Sequence, residues 1–392
     1  MSLLRYRAET KIRVGLRRTQ MQLKSAFVTN KATFSHVTIY AAGNAGDTVL
    51  SECVRRTFNK MLNQFSWKLV SVMHPVSETL IEKFNRTNAV IIGGGGLFLP
   101  DTNPNAISGW QWACSKENLS RIRVPIILYS VGYNYFRGQI PSTLFIDSLS
   151  EIVEKSSFVG LRNHGSVCEV KALLRDDLKE KVVYQPCTTT LLRLLCPDLP
   201  AKKESGKIAF NFAFDRAEKR FGENKEKILV EIVKSVYAIR DKGYEIYIVA
   251  HCPSDLMVMQ YIKERTNIHV VNASWWGFEQ LAGFYNNMDV VLGMRGHAQM
   301  IPFGLNCQII SLGSHEKMKW FLEDIDAMDW YIEMIEQPET LAERIMEKFV
   351  EVHEINRDLT NQRLVKAQQY LWEITCDNMN YIRSVIEEPF GG

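Results

Sequence analysis

The chain has 392 residues, 46% of them hydrophobic and 23% charged, a mix that excludes the disordered and fibrous classes. This length exceeds one ordinary core and predicts two domains of about 150 to 200 residues each. The net charge is only +3, and no run of about 20 uncharged apolar residues predicts a membrane-spanning helix.

The first 35 residues are strongly basic, with eight arginines and lysines against the single acidic residue Glu9. A solvated helix folded against the body is the simpler interpretation, and peripheral contact of residues 1–35 with an anionic membrane surface is the alternative. Charged residues also interrupt the apolar region that a secretory signal peptide requires. Nucleic-acid binding is not expected, because the rest of the sequence has no basic stripe interleaved with aromatic residues.

The eight cysteines form no C-x-x-C pair. Neither a zinc-finger ligand set nor a dense disulfide framework is therefore predicted. We expect reduced thiols in a cytoplasmic protein that reaches the inner face of the membrane, if at all, through residues 1–35.

Residues 36–197 alternate between short apolar runs and amphipathic stretches, which is typical of parallel strands joined by helices. A strand at 37–41 is followed by the turn Gly-Asn-Ala-Gly-Asp at 43–47 and by helical spacing from Val49 onward, with Asp47 as the predicted helix cap. Further strands are predicted at residues 68–72, 89–92, 125–131, 158–161 and 182–184. This segment is one doubly wound half.

A polar segment with two prolines at residues 197–206 predicts a linker. The alternation then restarts over residues 206–340. Strands are predicted at residues 208–212, 244–249, 268–271, 289–292 and 308–312, and a helix at 225–240. Residues 341–392 form a mainly helical segment. The predicted fold class is α/β, with two doubly wound Rossmann-like domains that face a cleft, where ligands bind beyond the carboxyl ends of strands.

The most informative motif is Gly-Met-Arg-Gly-His-Ala at 293–298, directly after a predicted strand. Arg295 can form a bidentate clamp on a carboxylate or phosphate, and His297 can exchange protons near neutral pH. A lone histidine is usually structural. An arginine and a histidine at the carboxyl end of one strand favour a functional site.

Four glycines at 93–96 follow another predicted strand and let backbone N–H groups approach a ligand closely, although such a run is equally typical of a tight structural turn. They do not match the dinucleotide fingerprint or a P-loop. The helix start after residues 43–47 would stabilise an anion, or Asn44 and Asp47 simply complete a turn and cap. We take Asn44, Asp47, Gly94, Gly95, Gly96 and Asp101 as candidates for lining the cleft or binding an acceptor.

Two further post-strand turns carry polar groups. Arg162 is followed by Ser166, a predicted helix cap, although a surface arginine before a capped helix is the simpler alternative. The turn at 311–317 offers the hydroxyl of Ser314 and the ammonium group of Lys317. Aromatic residues in or near loops, among them Trp110 and Trp112, are candidates for stacking on sugar rings, although most aromatics are core.

Together these motifs resemble the polysaccharide pyruvyl transferase family: the turn at 43–47, the glycines at 93–96, Arg162 with Ser166, and the motif at 293–298 followed by Gly304 and Lys317. The ordered set covers residues 36 to about 325. Two positions depart from the family pattern. Gln185-Pro186 stands where many members have Asp-Pro, and some relatives have a bulkier residue at the position of Gly296.

The resemblance implies a two-domain fold of the GT-B type and transfer of the enolpyruvyl group of phosphoenolpyruvate to two sugar hydroxyls, forming a pyruvate ketal in bacterial polysaccharide biosynthesis. It implies that Arg295 and His297 act in catalysis. It also implies that the donor is bound by Arg162, Arg295, Gly296, His297, Ser314 and Lys317. The partners would be phosphoenolpyruvate and a sugar or lipid-linked oligosaccharide acceptor.

The residue types suit this chemistry, because guanidinium groups and helix N-termini bind carboxylate and phosphate, and an imidazole can move the protons. No cofactor or metal is expected, and the sequence has no HExxH or other metal motif. Two alternatives remain: a glycosyltransferase of the same shape that uses a nucleotide sugar, and a non-catalytic binding protein that uses the basic leader at membranes.

Overall fold

The computed structural model of the chain describes residues 32–40, 43–62, 65–135, 138–313 and 316–387, and for residues 316 and 317 only the backbone. Most of the predicted basic leader therefore lies outside the described residues. Two compact units are present. Unit 1 comprises the described residues before Gly43, then Leu50–Thr188 and the described residues from Trp372 onward; unit 2 comprises Gly43–Val49 and Thr189–Leu371.

This division differs from the predicted one, which placed the boundary in the linker at 197–206 and kept residues 341–392 as a separate segment. The chain passes from unit 1 to unit 2 at Thr188 and returns at Leu371. The prolines of the linker interrupt secondary structure, but Lys202 and Ser205 hydrogen-bond to residues near Asp289, within unit 2. Local polarity therefore does not mark the boundary here.

Unit 1 is built on a six-stranded parallel sheet with the order β2-β1-β3-β4-β5-β6. Its strands are β1 (Thr33–Thr38), β2 (Ser66–Ser71), β3 (Ala89–Phe98), β4 (Ile126–Tyr133), β5 (Phe158–Leu161) and β6 (Val182–Tyr184). Its helices are α1 (Ala45–Met61), α2 (Glu78–Asn85), α3 (Lys116–Ser120), α4 (Thr143–Lys155), α5 (His164–Leu173) and α6 (Asp176–Lys179). The first turn of α1 groups with unit 2.

Unit 2 is built on a second six-stranded parallel sheet with the order β12-β11-β10-β7-β8-β9. Its strands are β7 (Lys207–Asn211), β8 (Glu245–Ala250), β9 (Ile268–Asn272), β10 (Val290–Gly293), β11 (Gln308–Gly313) and β12 (Tyr331–Glu333). Its helices are α7 (Leu192–Leu195), α8 (Ala217–Phe221), α9 (Lys225–Asp241), α10 (Phe278–Asn286), α11 (His297–Gly304), α12 (Glu316–Asp324) and α13 (Leu341–Phe349), followed by a π-helical turn (Val350–Ile355).

The central strands of both sheets are buried on both faces, which is why they appear in the sequence as continuous apolar runs. The predicted α/β class with two doubly wound domains is confirmed by these two sheets. All eleven predicted strands are present, with ends that shift by up to six residues, the largest shift being at the carboxyl end of β3. Strand β12 was missed, because three residues beside Trp330 carry no clear apolar alternation.

The last helix, α14 (Arg357–Glu387), divides between the units at Leu371. Its final part docks on unit 1, where Asn378 donates hydrogen bonds to the carbonyl of Tyr184 at 2.8 Å and to the side chain of Gln185 at 3.0 Å. Gln185 is fully buried and also donates to Thr375 at 3.3 Å. The departure from Asp-Pro at Gln185 therefore lies at a helix-docking contact.

Among the described helices, none combines the length and the apolar character needed to cross a membrane.

Candidate functional site

The Arg-Gly-His turn joins β10 to α11 at the point where the strand order of unit 2 reverses. The chain runs from β7 through β8 to β9 on one side of the sheet, and β10 then pairs with β7 on the other side. In open parallel sheets, a ligand crevice forms beyond the carboxyl ends of the strands at such a reversal. Arg295 and His297 are thus located where the fold favours ligand binding.

Two aspartates hold the guanidinium group of Arg295. Its Nε lies 2.9 and 3.0 Å from the carboxylate oxygens of Asp255, and its Nη2 lies 2.5 Å from Asp255 and 2.6 Å from Asp215. The side chain of Arg295 is only 14% exposed. Burial opposes its positive charge, but the two carboxylates more than compensate and raise the pKa of Arg295 above its usual value.

These contacts correct one prediction. We expected Arg295 to offer a bidentate clamp to a ligand, but its Nε/Nη2 edge is already bound to Asp255. The sequence did not reveal this, because Asp255 lies 40 residues away in the chain. Among the described residues, Nη1 has no hydrogen-bond partner, so this end of the guanidinium group remains for a ligand.

His297 is the first residue of α11, and its side chain is 10% exposed. Its Nδ1 lies 3.5 Å from Oδ1 of Asp47, whose other oxygen accepts a hydrogen bond from Asn44 at 2.8 Å. Asp47 and Asn44 belong to the part of the chain that groups with unit 2. A carboxylate therefore faces one nitrogen of the imidazole, an arrangement that orients a general acid or base.

Asn44, not Asp47, caps helix α1. Its side-chain oxygen accepts from the backbone N–H of Gly46 at 3.1 Å, and its carbonyl accepts from the amide and the hydroxyl of Thr48. The prediction of Asp47 as the cap was wrong, because Asn44, three residues earlier, occupies that position. Asp47 is left to face His297. Gly46 makes this approach possible, because a Cβ there would lie 2.6 Å from Cβ of His297.

In unit 1, Arg162 lies directly after β5 and is 7% exposed. Its Nη2 donates to Oδ1 of Asn134 at 2.8 Å. A Cβ at Gly132 would lie 2.3 Å from Nε of Arg162, and one at Gly96 would lie 1.5 Å from Nδ2 of Asn134. The two glycines therefore leave room for a guanidinium and an amide side by side at the carboxyl end of the sheet.

The glycine run at 93–96 does not form a turn after the strand, as we had considered; β3 continues through it to Phe98. The register against β4 shifts between Gly95 and Phe98, and three of the glycines have positive φ. A Cβ at Gly93 would lie 2.0 Å from the carbonyl oxygen of Tyr129, and one at Gly94 would lie 3.0 Å from Val54. These two glycines serve packing, and Gly96 is the one beside Arg162.

The predicted cap at Ser166 was also wrong. Asn163 caps α5, accepting from the backbone N–H of Ser166 at 2.7 Å. The hydroxyl of Ser166 instead accepts from the backbone N–H of Tyr133 at 3.1 Å. This bond ties the start of α5 to the end of β4, the strand that precedes Asn134.

Other predicted site residues are placed as follows. Gly296 is at the start of α11, with open space around the position of a Cβ. Asp101 is half-buried in the loop after β3, and a Cβ added at Gly95 would contact only Leu97. Ser314 lies outside the described residues, as does the side chain of Lys317.

The aromatic candidates Trp110 and Trp112 are buried, each 1% exposed, so they belong to the core and not to a sugar-binding surface. Their apolar environment was hidden by the polar loop around them. Sequence reasoning missed Asp215 and Asn134. Each of the two follows the carboxyl end of a strand, a position that would have identified them.

Among the described residues, no group of three or more histidine, cysteine, aspartate or glutamate side chains is placed to hold a metal ion.

Comparison with known proteins gives one family. The model of the polysaccharide pyruvyl transferase family matches residues 44–316. A search of curated proteins gave no match.

Solved structures with a similar fold include the MnaA–UDP complex of S. aureus, at a TM-score of 0.53 and 11% identity over 88% of this chain and 97% of that one. A Listeria monocytogenes protein described as a UDP-N-acetylglucosamine 2-epimerase has a TM-score of 0.55 and 11% identity, over 91% of this chain and 95% of that one. A glycosyltransferase from Rickettsia africae has a TM-score of 0.51 and 12% identity, over 92% of this chain and 100% of that one. At these identities the likeness concerns the fold alone, and it confirms the GT-B type.

Proposed function

Because the chain belongs to the polysaccharide pyruvyl transferase family, we propose that it transfers the three-carbon group of phosphoenolpyruvate to two hydroxyls of a sugar. The product is a pyruvate ketal, and inorganic phosphate is released. The observation that carries this proposal is the placement of Arg295 and His297, with Asp47 facing the imidazole, at the strand-order reversal of unit 2.

The scheme begins with donor binding. The carboxylate and the phosphate of phosphoenolpyruvate need directional cationic donors, and Arg295 offers its Nη1 group beside the N-terminus of α11. In unit 1, Arg162, which donates to the amide oxygen of Asn134, retains its assignment to the donor from the family resemblance. Gly296, Ser314 and Lys317 retain their assignment to the donor from the family resemblance.

The chemical steps require proton transfers. Protonated His297 gives a proton to the methylene carbon of the donor, which becomes a methyl group, and one sugar hydroxyl attacks the adjacent cationic carbon. Phosphate then leaves, and the second hydroxyl attacks the same carbon. Each of the two sugar hydroxyls loses one proton. These two protons balance the one delivered to the methylene carbon and the one that leaves on phosphate. An imidazole in this role contributes about 10²- to 10⁴-fold in rate.

Asp47 supports His297 in two ways. Its carboxylate stabilises the protonated imidazole by charge, and the 3.5 Å approach to Nδ1 directs the other ring nitrogen away from Asp47. No step of the scheme calls for a metal or a redox cofactor. Of the residues predicted to line the cleft or bind the acceptor, Asn44, Asp47, Gly96 and Asp101 stay assigned to the acceptor. Gly94 and Gly95 do not.

We assign the acceptor to the sugars of polysaccharide repeat units, free or lipid-linked, and the reaction to the cytoplasm. Membrane contact through residues 1–35 is a separate proposal. Cosedimentation with anionic liposomes, with and without residues 1–35, tests it: equal binding by both forms contradicts a role for the leader.

The function is tested by incubating the protein with phosphoenolpyruvate and a panel of sugars. We expect phosphate release that depends on one class of acceptor, together with a product heavier than that acceptor by pyruvate less one water. Thermal stabilisation by a nucleoside diphosphate but not by phosphoenolpyruvate, without phosphate release, would favour a nucleotide-sugar glycosyltransferase instead.

A further inference from the structure

We propose that Asp215 and Asp255 are positioning residues that fix the guanidinium group of Arg295, so that only its Nη1 end meets an anionic ligand. This inference rests on the proposed function, in which Arg295 binds the phosphorylated donor. It adds two residues to the site and replaces the expected bidentate clamp with contact through one nitrogen.

Asp255 is a buried, hydrogen-bonded anchor. It is 1% exposed, and one of its oxygens accepts from the backbone N–H groups of His251 and Cys252, each at 3.0 Å. The same carboxylate receives Nε and Nη2 of Arg295 along one edge. Since the backbone holds Asp255, the plane of the guanidinium group is fixed by that edge.

Asp215 holds the guanidinium from a second direction, at 2.6 Å from Nη2. Asp215 is itself held by Arg220, whose Nε donates to the backbone carbonyl of Asp215 at 2.9 Å and whose Nη2 lies 3.4 Å from its carboxylate. Arg220 is 5% exposed. Two guanidiniums and two carboxylates therefore alternate along one chain of contacts, in which Asp215, at 35% exposed, is the most accessible member.

A count of donors shows what remains for a ligand. A guanidinium has five N–H groups, one on Nε and two on each terminal nitrogen. In Arg295 the Nε group and both Nη2 groups point to carboxylates. Arg295 makes no further hydrogen bond among the described residues, so the two N–H groups of Nη1 are those left for an anion.

The charges favour positioning over simple attraction. Arg220 and Arg295 are balanced by Asp215 and Asp255, so this cluster of four adds no net charge to the site. A site built only to attract a multiply charged anion would leave its arginine without carboxylates. The two carboxylates instead restrict the orientation of Arg295, which raises the fraction of guanidinium groups ready to bind.

The alternative is that the carboxylates only neutralise a buried arginine. The two interpretations predict opposite changes in the affinity for phosphoenolpyruvate when Asp215 is removed. If Asp215 acts by charge alone, Asp215→Ala should tighten phosphoenolpyruvate binding, because a negative charge near the anion is lost. If Asp215 positions Arg295, the same change should weaken binding by roughly tenfold. Asp215→Asn, which keeps an acceptor oxygen, should restore most of the affinity.

A double-mutant cycle tests whether Asp215 affects binding through Arg295. Arg295→Lys keeps the charge but cannot bridge two carboxylates. In that background, Asp215→Ala should change affinity by less than about twofold. Asp289→Asn is the matched control for loss of a carboxylate in unit 2, since Asp289, directly before β10, is 7% exposed and accepts from the backbone amides of Ser205 and Gly206 just before β7. It should lower the melting temperature without changing affinity.

Affinity is measured by calorimetry with phosphoenolpyruvate, and melting is recorded for every variant. Weaker binding in Asp215→Ala, rescue in Asp215→Asn and no effect on the Lys background support the inference. Tighter binding, unchanged binding or an equal effect in both backgrounds overturns it while the proposed function stands. If the unaltered protein does not bind phosphoenolpyruvate, both fall together.

Discussion

At the scale of single residues, the proposed chemistry depends on the imidazole of His297, which faces a carboxylate on one side. His297 starts a helix, where backbone N–H groups disfavour a nearby positive charge, while the carboxylate of Asp47 favours it. The two influences oppose each other within a few ångströms. Such a balance suits a group that must both give and take a proton within one turnover.

His297→Ala and Asp47→Asn should therefore separate binding from chemistry. We expect His297→Ala to bind phosphoenolpyruvate but to lose turnover by about 10²- to 10⁴-fold, because the proton donor is absent. Asp47→Asn keeps its shape and its contact with Asn44 but not its charge, and should reduce kcat by a smaller factor. Steady-state kinetics and calorimetry provide the measurements; a fully active His297→Ala would reassign the proton donor.

At the scale of elements, two helix starts meet at one glycine. Gly46 is in the first turn of α1, and a Cβ there would lie 2.6 Å from Cβ of His297, the first residue of α11. The sequence alone suggests that alanine would be better in a helix. The contact with His297 reverses that expectation for activity.

Gly46→Ala should displace His297 and reduce kcat by about 10²-fold, since a shift of about 1 Å in a catalytic group can have that effect. The matched control is Gly283→Ala in helix α10, where no atom lies within 4 Å of the added Cβ. Gly283→Ala should keep full activity and a melting temperature that is equal or higher. Equal activity of both variants would contradict a catalytic need for the close approach of Gly46 to His297.

The docking of α14 on unit 1 gives a prediction about stability. Asn378→Ala removes two hydrogen bonds and leaves the buried side chain of Gln185 with one partner fewer. We expect a loss of about 1–3 kcal/mol in the free energy of unfolding. Asp377→Ala on the exposed face of the same helix should have little effect, and urea titrations of the two variants compare them directly. Equal destabilisation would show that the contact contributes little.

Much of the fold could be predicted because its strands are buried on both faces. Uninterrupted apolar runs such as that of β4 are typical of strands in a parallel sheet that is covered on both faces, and the family motifs occur at their carboxyl ends. The path of the glycine run could not be predicted. Glycine is compatible with a turn or a bulged strand. The close approach of the run to Tyr129 in the neighbouring strand β4 determines that it continues as a strand.

The site was predicted where residues are neighbours in sequence and missed where they are neighbours only in space. Arg295 and His297 stood out within one motif. Asp215 and Asp255 lie 80 and 40 residues before Arg295, and no local pattern connects them. The helix caps were misplaced for a related reason: Asn and Asp both suit a cap, so only geometry decides between Asn44 and Asp47.

At the scale of the whole molecule, three buried histidines make stability depend on pH. Burial lowers the pKa of His36 and of His251 to about 3, assisted by Arg55 and Arg295 respectively. Burial also lowers the pKa of His353 to about 4, assisted by Arg357. All three are neutral in the folded protein at pH 7.

In the unfolded chain these histidines bind protons below about pH 6.5, which favours unfolding. Their contribution to stability is therefore present above pH 6.5 and is lost as the pH falls toward 4 and 3. We expect the free energy of unfolding from urea titrations to fall between pH 7 and 5. His353→Gln should reduce this slope, whereas a pH-independent stability would contradict neutral buried histidines.

The central claim concerns the whole reaction: a proton from the protein converts the methylene carbon of phosphoenolpyruvate into a methyl group on a ketal. The most direct test is mass spectrometry of the product formed in D₂O with an acceptor that supports phosphate release. The account predicts a ketal that bridges two hydroxyls and carries one deuterium that does not exchange, in its methyl group. A product that keeps the methylene as an enol ether on one hydroxyl, or a ketal without deuterium, would contradict it.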